Sequence, residues 1–300
     1  MNSLVTTLII CGAAILYSFT AGLLTRNYSH VDRLWSILPG VYVLVWLPDY
    51  INNPRFIIPA IIVILWCIRL STNFAIKGGY RFSWKKGGFY EEDYRWAVLR
   101  KRIPNRFAFE LFNLFFISFF QLALVFAITL PLYFYGRITG PIARTEIILY
   151  CAHFLLLAGE TVADIQQFRY YKMPSSCYYK NDPSVSLGFN PFGLWKYVRH
   201  PNYVCEFGQW IIVYFYLHTA GGGWHISGLG ALLLVVLFAG STVMAEGITL
   251  SKYSAYRDWK KATPAWLIFM LPFRMKQRKQ FKEKYDLSSS PQEEPAGQEI

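Results

Sequence analysis

The sequence predicts an all-α, polytopic integral membrane protein: a bundle of about seven transmembrane helices, N-terminus outside and C-terminus cytosolic. Three observations predict it. Hydrophobic residues make up 54% of the 300 residues and aromatic ones 18%, with mean hydropathy +0.27, richer than an ordinary soluble domain. The apolar residues gather in runs long enough to cross a bilayer. The Lys and Arg behind the formal charge of +12 crowd into the loops after the first, third and fifth runs and into the tail. The loop after the sixth run has none and that after the second has only Arg55, which is the alternation a positive-inside topology produces.

In chain order, the first span covers about 4–24. It lacks a basic leading region and a small-residue cleavage site, so it is expected to be a retained helix. The second, about 34–50, contains Pro39 and ends near Pro48; the third, about 56–70, closes at Arg69. The basic segment 77–106 follows, punctuated by Gly78–Gly79 and Gly87–Gly88, and its aromatic residues predict that it packs on something. The fourth span covers 107–133. The fifth covers 145–161, its helix continuing through Asp164 to Tyr171. After a polar loop (172–190) come the sixth span (203–218), an uncharged Gly221–Gly223 turn and the seventh span (226–250). Residues 251–261 read as a polar, aromatic-rich helix, and 266–273 are too short to span. Residues 1–273 are therefore expected to form the membrane domain, and 274–300, charged and then rich in Ser, Pro, Glu and Gln, a disordered cytosolic tail.

Polar side chains inside such a bundle are expensive, so they point to function. The densest group lies in GFNPFGLWKYVRHPNYVCEFGQW (188–210). Pro201 suits the first turn of a helix, and Asn202, Glu206 and Gln209 then fall on one face at i, i+4 and i+7. The fifth helix offers a second stripe, Glu160, Asp164, Gln167 and Tyr171, suited to gripping the ribose or carboxamide of a nucleotide; a hydrated helix end is the plainer reading. Arg69, Arg81, Arg95, Arg199, Lys77 and Lys196 could hold phosphates or simply mark the cytosolic face. His200 has a catalytic and a structural reading, and Asp32, in HVDRLWSILP, is a proton donor or a helix cap. Glu246 is the one buried-looking acid of the seventh helix, with Tyr253, Tyr256 and Arg257 after it. The five cysteines and the histidines lack ligand spacing, so no metal is expected. Basic loops that adjoin spans favour anionic headgroups over nucleic acid. No dinucleotide-fold, P-loop or serine-hydrolase motif occurs.

GLWKYVRHPNYVCEFGQW closely resembles the C-terminal signature of the steroid 5α-reductase family, in particular a membrane branch of unknown function. HVDRLWSILP, RLSTNFAIKGGYRF with EEDYRW, and ETVADIQQF extend the resemblance over nearly the whole chain to about Phe273. It implies a seven-helix bundle that takes NADPH from the cytosolic side and passes hydride to the β-carbon of an α,β-unsaturated ketone or related lipid. An acid polarises the carbonyl. By position it places Asp164, Asn202 and Glu206 on the cofactor, Arg69 before the basic turn, and Arg199 and Tyr203 beside the nicotinamide end. Steroid-reducing members carry a Gln-Glu pair where this chain has Ser36 and Ile37. That difference weighs against steroid ketones and leaves Asp32 as the replacement acid.

The expectation is therefore an NADPH-dependent reductase of a carbon–carbon double bond in a hydrophobic small molecule. Asp32 and Tyr203 would be catalytic, and Arg69, Glu160, Asp164, Gln167, Arg199, His200, Asn202 and Glu206 would bind the cofactor. Its membrane would be the endoplasmic reticulum in a eukaryote or the inner membrane in a bacterium. The alternatives are an S-adenosylmethionine-dependent methyltransferase like the isoprenylcysteine carboxyl methyltransferases, or an inactive lipid-binding protein. The sequon Asn27-Tyr-Ser falls on the cytosolic side and is expected to go unused.

Overall fold

The computed structural model describes residues 2–86, 88–172 and 187–287. Most of the polar loop, with Cys177, and the last part of the tail lie outside the described residues. Apart from one hairpin, the regular elements are helical: α1 (Ser3–Thr25), α2 (His30–Trp35), α3 (Leu38–Tyr50), α4 (Pro54–Ile76), α5 (Tyr94–Arg102), α6 (Arg106–Phe112), α7 (Gln121–Tyr135), α8 (Arg144–Lys172), α9 (Pro201–Leu217), α10 (Gly228–Lys252), α11 (Tyr256–Ala262) and α12 (Met275–Lys284). A π-helical stretch, Asn113–Phe120, joins α6 to α7. Among the described residues five helices are long and apolar enough to cross a membrane: Ser3–Thr25, Pro54–Ile76, Arg106–Tyr135, Arg144–Lys172 and Gly228–Lys252.

The second and sixth expected spans come out shorter. The run 34–50 breaks at Ser36–Ile37, because Pro39 has no N–H to give the Trp35 carbonyl and its ring crowds that carbonyl, so it sits in the first turn of a new helix. The 13 residues of α3 measure roughly 20 Å at 1.5 Å per residue, well under the ~30 Å hydrocarbon thickness. α9 has 17 residues before it loosens into π geometry at His218–Gly222.

By its contacts the chain divides into two compact units, residues 1–155 with 209–234, and residues 156–208 with 235–300. The first is built inside out relative to a soluble protein. In α1 the buried stripe is Thr7, Cys11, Ala14, Ser18 and Gly22, while Leu8, Ile9, Leu16 and Leu24 are exposed. Small and weakly polar residues inward with large apolar ones outward is how a helix in lipid packs. Gly22 lies against Tyr28 and Asn113, 3.2–3.3 Å from where a Cβ would be. Ser118 Oγ donates to Ser18 Oγ over 3.1 Å, and Trp46 Nε1 donates to Thr7 Oγ1 over 3.3 Å. Trp46, Trp66, Trp210, Tyr42 and Phe56 form the fully buried centre, with Trp66 edge-on to Trp210 at 5.0 Å.

The basic segment does pack, as its aromatics predict. Phe82–Ser83 (β1) pairs antiparallel with Gly88–Phe89 (β2), Phe82 opposite Phe89, and Asp93 caps α5 by accepting from Arg95 N. Arg33 fixes the segment: buried, it donates to the carbonyls of Gly79 and Glu91 at 2.8 Å each and lies 4.5 Å over the Phe89 ring.

In the second unit the described part of the tail, up to Leu287, departs from the disordered extension that its composition suggests. Residues 275–284 form α12, and its Phe281 is buried with Leu187, Phe189, Tyr256, Trp259 and Leu287. Only one face of α12 is apolar, so net charge outvotes it in a compositional reading; Trp259 and Phe189 supply the surface that face needs.

Candidate functional site

Eight of the ten expected site residues, namely Glu160, Asp164, Gln167, Arg199, His200, Asn202, Tyr203 and Glu206, belong to the second unit, and Asp32 and Arg69 to the first. Within the second unit the motif is wound around the end of α8. Trp195 Nε1 donates to the Ala163 carbonyl at 3.0 Å, and Leu194 N donates to Gln166 Oε1 at 2.8 Å. Gly193, at φ +56°, passes so close to Gln166 that a Cβ would sit 2.3 Å from its Oε1. Gly188, at φ +72°, likewise faces the Tyr253 ring at 2.1 Å. Both positions need a residue without a side chain. Asn190 tightens the loop by accepting from Phe192 N at 3.0 Å. Gln166 is a residue that sequence reasoning missed; the paired glycines around Asn-Pro-Phe were the available signal.

From Pro201 the chain enters α9, which lies antiparallel to α8: Gly208 meets Leu156, and Gly159 meets Cys205 Sγ at 3.3 Å. The two glycines allow this close approach. Carried one or two turns further, that register sets Glu160–Asp164 level with Asn202–Glu206. The two polar stripes thus occupy the same stretch of one helix pair. Glu160 and Glu206 are buried, and Asp164, Gln167, Asn202 and Tyr203 half-buried. Tyr171, the last member of the expected α8 stripe, is instead exposed. Two carboxamide oxygens, Asn202 Oδ1 and Gln167 Oε1, are buried with no hydrogen-bond donor among the described residues. Buried acceptors left this way cost free energy unless something donates to them.

Arg199 and His200 are differently placed. Arg199 Nε donates to Glu246 Oε1 at 2.7 Å, Nη2 pairs with the same oxygen at 2.7 Å, and Nη1 donates to the carbonyls of Lys260 and Thr263. His200 Nε2 lies 3.1 Å from Glu246 Oε1, and Lys260 Nζ lies 2.9 Å from Oε2. The backbone joins in, since Arg199 N donates to Pro264 O and His200 N to Ala265 O. Glu246 is therefore the hub that ties the head of α9 to α10 and α11, while Arg199 and His200 also bond to the segment 263–265. This arrangement gives the His200 ring and the Arg199 guanidinium partners within the protein. His200 in turn stacks on Tyr203, centroids 5.1 Å apart and 15° from parallel, and Phe238 meets the Tyr203 ring edge-on at 4.6 Å.

In the first unit Asp32 is clasped rather than open. It accepts from Trp96 Nε1 at 2.9 Å and pairs with Arg95 at 3.3 Å. Burial pushes its carboxyl above the ordinary value, while Arg95 and the Trp96 N–H pull it back down. It does not cap α2, whose cap position is Ser29. Arg69 lies half-buried in the last third of α4. Ser36, at a position where the resemblance leads one to expect an acid or amide, is buried in a hydroxyl cluster, 2.9 Å from Tyr80 Oη and 3.0 Å from Ser71 Oγ. Ile37 beside it is exposed. A second buried charge pair escaped the sequence reading altogether: Arg55 Nε to Glu146 Oε1 at 2.8 Å, with Tyr135 donating to the same oxygen at 2.5 Å. Its signal was a charge inside the first turn of each of two spans. Among the described residues no group of three or more metal-ligating side chains converges.

Comparison with known proteins gives a consistent family and no named activity. The uncharacterized protein C594.04c of Schizosaccharomyces pombe is 33% identical over 259 residues, covering 79% of this chain and 71% of that protein. No solved structure matches significantly. The family described as "Protein of unknown function (DUF1295)" matches residues 18–263, a stretch that includes all ten expected site residues, and the chain belongs to that family.

Proposed function

We propose that the protein is a membrane-embedded, NADPH-dependent reductase of the steroid 5α-reductase type, acting on a carbon–carbon double bond of a lipid-like substrate. In this reading α3 and α9 complete a seven-helix bundle, crossing with the help of their flanking irregular turns. The N-terminus is outside, and the basic loops face the cytosol. The observation that carries the reading is the pair of buried, undonated oxygens of Asn202 and Gln167, on stripes that also carry Glu160, Asp164 and Glu206. A nucleotide cofactor offers what such a set lacks, because ribose hydroxyls and the nicotinamide carboxamide are hydrogen-bond donors. The residues present therefore fit the group.

Asn202 and Gln167 would accept from the cofactor, and the carboxylates of Asp164, Glu160 and Glu206 would orient its sugar. Bound there, NADPH supplies a hydride. Tyr203, packed against the rings of His200 and Phe238, is the residue whose hydroxyl would polarise the substrate and deliver the proton. Arg199 and His200 are positioning residues: through Glu246 they fix the start of α9 and the plane of the Tyr203 ring. Asp32, with its carboxyl given to Trp96 and Arg95, would shape the basic segment rather than react. A substrate with a long apolar body would reach the site from the bilayer.

Direct binding tests this. Purified full-length protein should bind NADPH and not S-adenosylmethionine, and Asn202→Ala should weaken NADPH about tenfold, the equivalent of one lost hydrogen bond of ~1.4 kcal/mol. Tyr203→Phe should leave NADPH affinity unchanged and abolish reduction of lipid enones. Tight binding of S-adenosylmethionine instead would move the protein to the methyltransferase class, and binding of neither would leave a lipid-binding protein.

A further inference from the structure

Away from the Asn202–Glu206 stripe, the second unit holds a cavity of about 100 Å³ lined by Lys196, Arg278 and Lys282 and by Phe192, Trp259 and Phe281. No acidic residue is among its walls. Arg278 is nine-tenths buried, and among the described residues the acceptor it reaches is the Lys196 carbonyl. No carboxylate pairs with Lys196, Arg278 or Lys282 among the described residues, although acids lie close by in sequence. Glu283 is beside Lys279 at 3.9 Å, and Asp258 is held by Lys284 at 2.7 Å and by the Tyr285 hydroxyl at 3.1 Å. α12 thus divides its cations. Lys279 and Lys284 have carboxylate partners, while Arg278 and Lys282, a like-charged i, i+4 pair that repels, line the cavity together with Lys196, whose ammonium lies 4.8 Å over the Tyr197 ring. Burial lowers the Arg278 pKa, so its charge is held in the fold at a cost.

We propose that this cavity binds a phosphate monoester dianion, presented either by a nucleotide or by a phospholipid headgroup. A cavity of this size has room for about three waters or one tetrahedral phosphate. A guanidinium and two ammonium groups match the charge and the acceptor geometry of a dianion. The aromatic walls, Trp259 and Phe281 at 5.0 Å from each other, give the ester's carbon side an apolar seat. Three cations that repel one another when the cavity holds only water become mutually stabilised around an anion. Phe192 and Lys196 belong to the loop that grips α8 through Trp195 and Leu194, so an occupant here would fasten α12 to the motif. α12 and three of the six named walls lie beyond the family-matched residues 18–263, so the site is an addition to the family core. It stands whether or not the protein is a reductase.

The test uses the full-length protein in detergent at low salt, titrated calorimetrically with adenosine 2′-monophosphate and, separately, with a short-chain phosphatidate. Short-chain phosphatidylcholine, a diester, is the control. At least one monoester should bind and phosphatidylcholine should not, and binding should weaken as salt rises. Arg278→Gln should lower affinity about tenfold. Lys282→Gln, at an exposed position that leaves the fold intact, should lower it several-fold, and Lys279→Gln, outside the cavity, should leave it unchanged. Which monoester binds identifies the source of the phosphate. Failure of both to bind, or binding indifferent to Lys282→Gln, overturns the proposal.

Discussion

Three consecutive polar residues of one motif meet three different fates. Arg199 is saturated by Glu246 and two carbonyls, His200 shares that carboxylate, and Asn202 keeps a buried oxygen that nothing in the described structure reaches. Residue type alone could not order them, since all three are plausible ligands on paper. His30, in α2, makes the same point for titration. Thr25 already donates its hydroxyl to Ala21 O, so its 3.3 Å contact with His30 Nε2 requires the ring to donate there, leaving Nδ1 to accept from Tyr17 Oη at 3.2 Å. That assignment is the neutral ring, and burial, with the Arg33 charge close by, lowers the His30 pKa to about 4. The unfolded chain takes up this proton near pH 6.5 and the folded one only near 4. The stability His30 contributes is thus complete above about pH 6.5 and lost as the pH falls through that window, at most about 3 kcal/mol. Thermal unfolding in detergent should show this acid-side slope, and His30→Gln should flatten it.

Among elements, helix existence and helix pairing have different origins. α1, α4, α8 and α10 follow from local apolar runs and appear close to where the sequence puts them, whereas Pro39 splits the second run and only contact with Phe189 and Trp259 rescues α12. The head of α9 depends on its neighbours. Glu246 of α10 pairs with Arg199 and Lys260 and contacts the His200 ring, partners drawn from two other segments. Glu246→Gln would leave a guanidinium buried without its counter-charge, and breaking a buried pair in this way costs about 3–5 kcal/mol. The expected result is a large drop in thermal stability together with protease sensitivity around 256–287. An unchanged melting temperature would show that the motif is not held through this carboxylate.

For the whole molecule, composition and charge distribution argue for a membrane protein, and the outward Leu, Ile and Phe side chains of the long helices agree with it. Topology can be tested at Asn27. Its carboxamide is buried and donates to Phe89 O at 2.9 Å and Glu91 O at 3.1 Å, which leaves no room for a glycan in the folded chain. Expressed in a eukaryotic membrane, the protein should show no mobility shift on endoglycosidase treatment. A sequon engineered into the Gly221–Gly223 turn lies in the uncharged loop after α9, assigned to the same side as the N-terminus, and should become modified. Modification at Asn27 would invert the orientation.

By itself the sequence determined which long apolar segments are helical and which carry polar stripes, because 3.6-residue periodicity and hydropathy are properties of neighbouring residues. It also brought forward Asn202, Glu206, Glu160 and Asp164, since amides and carboxylates spliced into apolar runs are costly wherever they end up. Only the tertiary structure decided that Arg199 belongs to Glu246, 47 positions away, that Asp32 is occupied by Trp96, that Arg55 and Glu146 neutralise each other, and that α12 folds back to build a cationic cavity. Charge pairing and burial depend on which helices abut, and that information is spread over residues far apart in the chain.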